Sequence, residues 1–263
     1  MQLNLEGKVV IVTGGAQGIG RVIAQTFAAE RAVVVVCDLP GAHLNALTAS
    51  EALRDVVALP CDVTSSADVI AAVSAVIDRF GRIDVLINNA GVNVEGAIED
   101  LDEARWDRCF DVNVGGTFRM CKAVIPVMKR QRAGRIINAA SFAAIIPSIG
   151  SAAYAASKAA VVQFTRVLAG ELGPWDVTVN AYAPGMIPTA MNGFATMPAE
   201  AQDRLLDTLT LRRWEKPEDV ANLLCFLAGD AASYITGTLI DVSGGKLATQ
   251  MPSRAYQPDA LRD

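Results

Sequence analysis

The chain of 263 residues is 52% hydrophobic and carries 23 basic against 28 acidic side chains, a net charge of −5. With a mean hydropathy of +0.32 it has apolar material for a large core, which excludes a disordered chain. The negative balance excludes nucleic-acid binding without a concentrated basic face, and the densest basic run, Lys129-Arg130-Gln131-Arg132, reads instead as a helix C-terminus before Ala133-Gly134.

Cys37, Cys61, Cys109, Cys121 and Cys225 are scattered, odd in number and without C-x-x-C spacing. That argues against a disulfide framework or a zinc site and suits a reducing compartment. The opening MQLNLEGKVV lacks a basic and then long apolar stretch, and the most apolar run, 32–37, is too short to span a bilayer. The expectation is a soluble cytoplasmic protein with no membrane and no nucleic-acid partner.

Short β-branched runs alternate with alanine-rich helical segments. In chain order, a strand is predicted at 8–13, a helix at 20–30, and strands at 32–37 and 56–59. A helix follows at 66–80, a strand at 84–87, one long helix at 101–132 and a strand at 135–139. Then come a helix at 152–172, a strand at 177–181, a helix at 217–227 and a strand at 239–242. Continuous apolar strands between helices predict an α/β fold: a Rossmann-like, doubly wound parallel sheet with helices on both faces. No repeat or linker divides the chain, so it reads as one domain over 1–263, with a cofactor half at about 5–140 and a catalytic half at about 141–245. The stretch 186–211 reads as a lid or a surface excursion, and the tail 246–263 as extended or partly disordered.

The first strand runs into Thr13-Gly14-Gly15-Ala16-Gln17-Gly18-Ile19-Gly20. Gly14 can take positive φ, while Gly18 and Gly20 let backbone approach a pyrophosphate at the N-terminus of the next helix. An ordinary glycine-rich turn is the alternative. The second strand ends at Asp38, 18 positions after Gly20, where a carboxylate suits the hydroxyls of an adenosine ribose and repels a 2′-phosphate. Leu39 and Gln17 supply no cation, so NAD is favoured over NADP; the alternative is that Asp38 caps the following helix.

The segments TGGAQGIG (13–20), CDVT (61–64), NNAG (88–91), Asn113, Ser141, YAASK (154–158) and PG (184–185) occur in order. Together they resemble the short-chain dehydrogenase/reductase family over about residues 5–245. The resemblance implies a seven-stranded sheet and a homotetramer or homodimer, assembled through the long helices. It also implies that Asn113, Ser141, Tyr154 and Lys158 are catalytic, with Asn113 anchoring a proton-relay water and Lys158 gripping the nicotinamide ribose. Gly14, Gln17, Gly18, Ile19, Gly20, Asp38, Leu39, Asp62, Val63, Asn89, Ala90, Gly91, Pro184, Gly185, Ile187 and Thr189, with Tyr154 and Lys158, would hold the cofactor. Gly115 stands where a lysine is frequent in the family.

The residues support that chemistry. Tyr154 and Lys158 are four apart in a helical segment and share one face. A free tyrosine titrates near pH 10, and an ammonium one turn away, with the positive nicotinamide ring, would stabilise its phenolate. Ser141 would hydrogen-bond the reacting oxygen. The lone His43, in a polar turn after the second strand, gives no basis for a metal site or a Ser-His triad.

The leading expectation is an NAD-dependent oxidoreductase interconverting a secondary alcohol and a ketone. Substrate contacts are assigned to Ser141, Phe142, Ala143, Ile149, Tyr154, Met186 and Met191. Ser148 and Asn93 offer polar contacts for a polyol or sugar. A 3-oxoacyl-thioester reductase is the second reading; Asp38 counts against it, and an acyl carrier would need a basic patch beside the cleft. A non-catalytic dinucleotide-binding protein is the third, opposed by the intact set of four. The tail is a candidate to reach a neighbouring subunit's cleft.

Overall fold

The computed structural model describes residues 3–47, 53, 55–189, 192–246 and 248–257. Seven strands, β1 (Val9–Thr13), β2 (Val33–Asp38), β3 (Val57–Pro60), β4 (Val85–Asn88), β5 (Gly134–Ala139), β6 (Val177–Pro184) and β7 (Leu239–Val242), pair in parallel. Their order is β3-β2-β1-β4-β5-β6-β7. Every residue of β1 and β4 is buried, as continuous apolar runs require of strands covered on both faces.

The covering helices are α1 (Gly18–Ala29), α2 (Ala42–Leu47), α3 (Ser66–Phe80), α4 (Glu103–Phe110), α5 (Thr117–Gln131), α6 (Ala152–Leu172), α7 (Ala199–Leu206) and α8 (Pro217–Ala228). Side chains alternate across each strand, so Val10 and Val12 pack under α1 and α8 while Val9 and Ile11 pack under α3 and α5. The winding reverses between β1 and β4, and the crevice at that switch lies beyond the carboxyl ends of the strands. Among the described residues no helix is long and apolar enough to cross a membrane. The five cysteines are buried and unbridged.

Four expectations need correction. The helix predicted at 101–132 is α4, a π-helical turn at Asp111–Gly116 and α5. Gly115-Gly116 permits the wider turn, since a Cβ on Gly116 would stand 2.7 Å from Val63 Cγ2. His43 lies exposed on the short helix α2, formed because Leu44 and Leu47 share a buried face. The 186–211 stretch contains α7 and a one-turn 3₁₀ segment, Phe194–Thr196, whose Phe194 stacks on Trp214 at 5.5 Å. The described part of the tail folds back as a 3₁₀ segment, Pro252–Tyr256, with the Tyr256 hydroxyl donating to the Thr210 carbonyl at 2.7 Å. It therefore rests on its own chain's 186–211 stretch.

A buried polar ladder fixes α6 on the sheet. Asn88 Nδ2 donates to Asn138 Oδ1 at 2.9 Å, Asn138 Nδ2 donates to Thr165 Oγ1 at 2.9 Å, and Thr165 donates to the Val161 carbonyl at 2.8 Å. Thr165→Val keeps the shape and strands a buried amide N–H, so urea unfolding should show a loss of about 1–3 kcal/mol. An unchanged midpoint would mean that the ladder does not anchor α6.

Candidate active site

The end of β1 is lashed to the end of β4. Thr13 Oγ1 accepts from the N–H groups of Asn89 (3.0 Å) and Ala90 (3.1 Å), and Asn89 Nδ2 donates to the Thr13 and Gly14 carbonyls, both at 3.1 Å. The Tyr182 hydroxyl, on the fully buried ring of β6, donates to Asn89 Oδ1 at 3.3 Å. This close crossing requires glycine: Gly14 has φ +64°, and a Cβ on Gly20 would lie 2.1 Å from the Gly14 carbonyl oxygen. Helix α1 starts after the extended Gln17 with no side-chain cap, so Gly18, Ile19 and Gly20 offer backbone N–H groups and the positive end of a helix to an anion.

Asp38 closes the other side of this cradle. Its Oδ2 accepts from the Ala16 N–H and its Oδ1 from the Leu39 N–H, each at 2.8 Å. It thus ties β2 to the glycine turn, and the helix-capping alternative is set aside. Asp62 accepts from both the N–H (2.8 Å) and the hydroxyl (2.7 Å) of Thr64, which holds its carboxyl below the usual range. The next residue, Val63, packs on Gly116.

Ser141 leaves β5 and its hydroxyl accepts from the Ala143 N–H at 3.1 Å. Lys158 is buried; its Nζ donates to the Ala139 carbonyl at 2.8 Å and stands 5.7 Å from the Tyr154 ring centroid. A Cβ on Gly91 would lie 3.4 Å from the same Nζ and 3.1 Å from Asn113 Oδ1, so a side chain at 91 would press on both. Burial pushes Lys158 down to about 8 and pushes Tyr154 up, with the Ser141 hydroxyl pulling Tyr154 back. The protein's own groups therefore raise the tyrosine, and the lowering expected from Lys158 is not supplied by Lys158 alone. Desolvation is the largest influence on the phenol.

Asn113 sits in the π turn with its side chain fully engaged. Oδ1 accepts from the Val92 N–H (2.9 Å), and Nδ2 donates to the Val92 carbonyl (3.0 Å) and to Ser157 Oγ (2.9 Å). It clamps the loop after β4 to α6.

After β6, Gly185 donates its N–H to Glu215 Oε2 at 2.5 Å, and Glu215 N–H donates to the Met186 carbonyl at 3.1 Å. Asn192 Nδ2 donates to the Ile187 carbonyl (2.7 Å), and Asn192 Oδ1 accepts from the Thr189 N–H (3.1 Å). Asn192 thus engages the Ile187 carbonyl and the Thr189 N–H within the segment expected to hold the cofactor. Glu215, Asn192 and Tyr182 were not singled out in the sequence. Ala143 and Met186 are buried beside Ser141 and Gly185, whereas Ile149 is wholly exposed on a turn. Met191 lies outside the described residues. Asn93 Nδ2 donates to Glu95 while its Oδ1 is buried without a partner among the described residues, and the Ser148 carbonyl accepts from Ser151.

The family model described as enoyl-(acyl carrier protein) reductase matches residues 14–246. The 3-oxoacyl-[acyl-carrier-protein] reductase FabG of Thermotoga maritima is 38% identical over 250 residues, covering 92% of this chain and 99% of that protein. The human dehydrogenase/reductase SDR family member 4 is 37% identical over 245 residues, covering 92% and 88%. The chain belongs to the short-chain dehydrogenase/reductase family. The crystal structure of levodione reductase superposes on this family member with a TM-score of 0.88 at 32% identity, over 94% of this chain and all of that one.

In this short-chain dehydrogenase/reductase, Glu215 is an acid enclosed where the loops after β6 and β7 meet, and its Oε1 has no partner among the described residues. Burial pushes it up to about 8; Asp219 and Asp241 push the same way, while the Gly185 N–H and Arg213 oppose. The proton favours the native state, so this contribution to stability is complete below the unfolded value of 4.5 and is lost as pH rises through about 8. Relative to Glu215→Gln, wild-type unfolding free energy should fall between those limits by on the order of 2–4 kcal/mol. Parallel pH–stability curves for the two proteins would show that Glu215 is ionised throughout.

Proposed function

We propose that this oxidoreductase interconverts a secondary alcohol and a ketone with NAD(H), using residues 1–263 as one domain. The observation that carries the reading is the meeting of Ser141, Tyr154 and Lys158 at the carboxyl end of β5, across the end of β4 from the glycine cradle. The dinucleotide supplies the hydride acceptor or donor when bound. Gly14, Gly18, Ile19 and Gly20 hold its phosphates, Asp38 its adenosine ribose, and Lys158 its nicotinamide ribose. Asp62, Val63, Asn89, Ala90 and Gly91 line the path between. Gln17 and Leu39 flank the adenosine end, and Pro184, Gly185, Ile187 and Thr189 border the nicotinamide end.

Ser141 donates its hydroxyl proton to the substrate oxygen and orients it toward Tyr154. Tyr154 removes the alcohol proton in oxidation, or delivers one to the ketone oxygen in reduction. Lys158 keeps a positive charge one helical turn below the phenol, so the phenolate is favoured once a second positive charge joins it. Ala143 and Met186 exclude water from the reacting oxygen. Phe118 on α5 and Val167 on α6 are exposed apolar side chains on the helices assigned to assembly, and support a homodimer or homotetramer. The unbridged cysteines suit a cytoplasmic location. A 3-oxoacyl-thioester reductase is the second reading, favoured by the relationship to the FabG protein.

Two variants test the proposal. Tyr154→Phe should keep dinucleotide binding, measured by titration, and lose about 10²–10⁴ in kcat; near-normal turnover would remove Tyr154 as the acid–base group. Asp38→Ala should narrow the preference for NAD over NADP in kcat/KM by about tenfold or more, by deleting the charge that repels a 2′-phosphate. An unchanged ratio would place ribose recognition elsewhere.

A further inference from the structure

Lys246 opens the tail in the sequence, yet the fold carries it to the substrate side. The turn after β7 packs on the loop after β6, where a Cβ on Gly185 would stand 2.7 Å from the Ser243 Cα. The Lys246 N–H donates to Ser243 Oγ at 3.1 Å, and the residue bridges to Leu209 in antiparallel fashion. Its Nζ donates to Thr208 Oγ1 at 2.5 Å and lies 5.6 Å from the ring centroid of Phe142, the residue after Ser141. The ammonium therefore stands where three candidate substrate walls meet: Phe142, the loop after β6 and the 186–211 stretch.

Some partly buried cations on the surface have acids, while Arg21, Lys129 and Arg135 have none among the described residues. Lys8 pairs with Asp230 at 2.8 Å and Arg119 with Asp111 at 2.6 Å. Lys246 is half-buried, and among the described residues no carboxylate pairs with it. Thr208 gives its own proton to the Leu205 carbonyl at 2.6 Å, so it can only accept from the lysine and fixes the direction of the ammonium. Two of the three N–H donors are left for something else. Burial lowers the lysine's affinity for its proton, with no acid acting against it. A charge withdrawn from water beside an aromatic ring, with spare donors, is matched by an anion.

We propose that Lys246 is a substrate-specificity residue that binds a carboxylate carried by the secondary alcohol or ketone. A compact ammonium with rotatable donors fits a small oxyanion, and the Phe142 ring beside it reduces the screening of that pair. The substrate class becomes the hydroxy acids and their keto acids, ahead of neutral polyols. This inference rests on the proposed reaction at Tyr154.

The test compares 3-hydroxybutanoate and 4-hydroxypentanoate with their methyl esters, using wild type, Lys246→Met and Lys246→Arg with saturating dinucleotide. Wild type should favour acid over ester in kcat/KM by about tenfold or more, as expected for one charge-assisted hydrogen bond. Lys246→Met should erase that ratio, chiefly through KM, and Lys246→Arg should recover part of it. Raised ionic strength should increase the wild-type KM for the acids more than for the esters, a reading that needs no variant. As a readout apart from turnover, 3-oxobutanoate should raise the melting temperature of wild type and not of Lys246→Met. Equal use of acids and esters by wild type, or a proportional loss on both in Lys246→Met, would overturn the proposal and leave Lys246 as a latch between tail and 186–211. Absence of turnover of acids, esters, cyclohexanol and sorbitol with NAD and NADP alike would instead overturn the reaction reading, and this inference with it.

Discussion

A lysine ammonium held out of water sets the terms for the rest of this site. Lys158 is 4% exposed and its protein acceptor is a single carbonyl, that of Ala139. Burying a charge with so little compensation costs several kcal/mol, which appears as the fall of its pKa to about 8. The helix that carries it must be held from more than one side. Thr165, two turns further on, is tied through Asn138 to the middle of the sheet. Ser157, the preceding residue, donates to the Tyr154 carbonyl at 2.7 Å and accepts from Asn113, which in turn grips both backbone groups of Val92. The loop after β4, the π turn and α6 are thus one hydrogen-bonded unit around the ammonium.

The same logic separates the two ends of the crevice. At the glycine turn the protein presents uncapped backbone N–H groups, a form of positive charge that costs no side-chain desolvation and suits a phosphate. Asp38 faces that turn and sets a negative charge beside it. At the far end the positive charges are side chains, Lys158 within and Lys246 at the wall, and both are lowered by burial. The net charge of −5 says nothing about either end; local geometry decides the sign that a ligand meets.

How much of this could be read from residues alone depended on whether the cause was local. The strands were legible because burial on both faces demands unbroken apolar runs. β6 runs three residues past its expected end because Tyr182, Ala183 and Pro184 pair with β7, a partner that local pattern does not reveal. That Tyr154 and Lys158 share one helix face was legible from their spacing of four, while their grouping with Ser141 rested on the family resemblance. The π turn was hidden, since the apolar spacing of a helix changes little across one wide turn; Gly115-Gly116 was its signal. Glu215 carries no local pattern that marks it, and only the meeting of the loops after β6 and β7 encloses it. Lys246 gained meaning in the same way, from Phe142, Thr208 and Ser243 arriving together.

The 186–211 stretch is tied at both ends, which limits how it can act as a lid. At its start, Asn192 holds Ile187 and Thr189. At its end, the Thr210 and Leu211 N–H groups donate to the Gly245 (3.3 Å) and Gly244 (3.0 Å) carbonyls, and Tyr256 adds a bond to Thr210. Opening the cleft from that end must break those bonds or carry the tail along. A substrate group bound by Lys246 would engage the tail, Phe142 and Thr208 at once, strengthening the side where the stretch is already held. Motion would then concentrate in the part bearing α7, between the two anchored ends, and the tail would be part of the substrate wall.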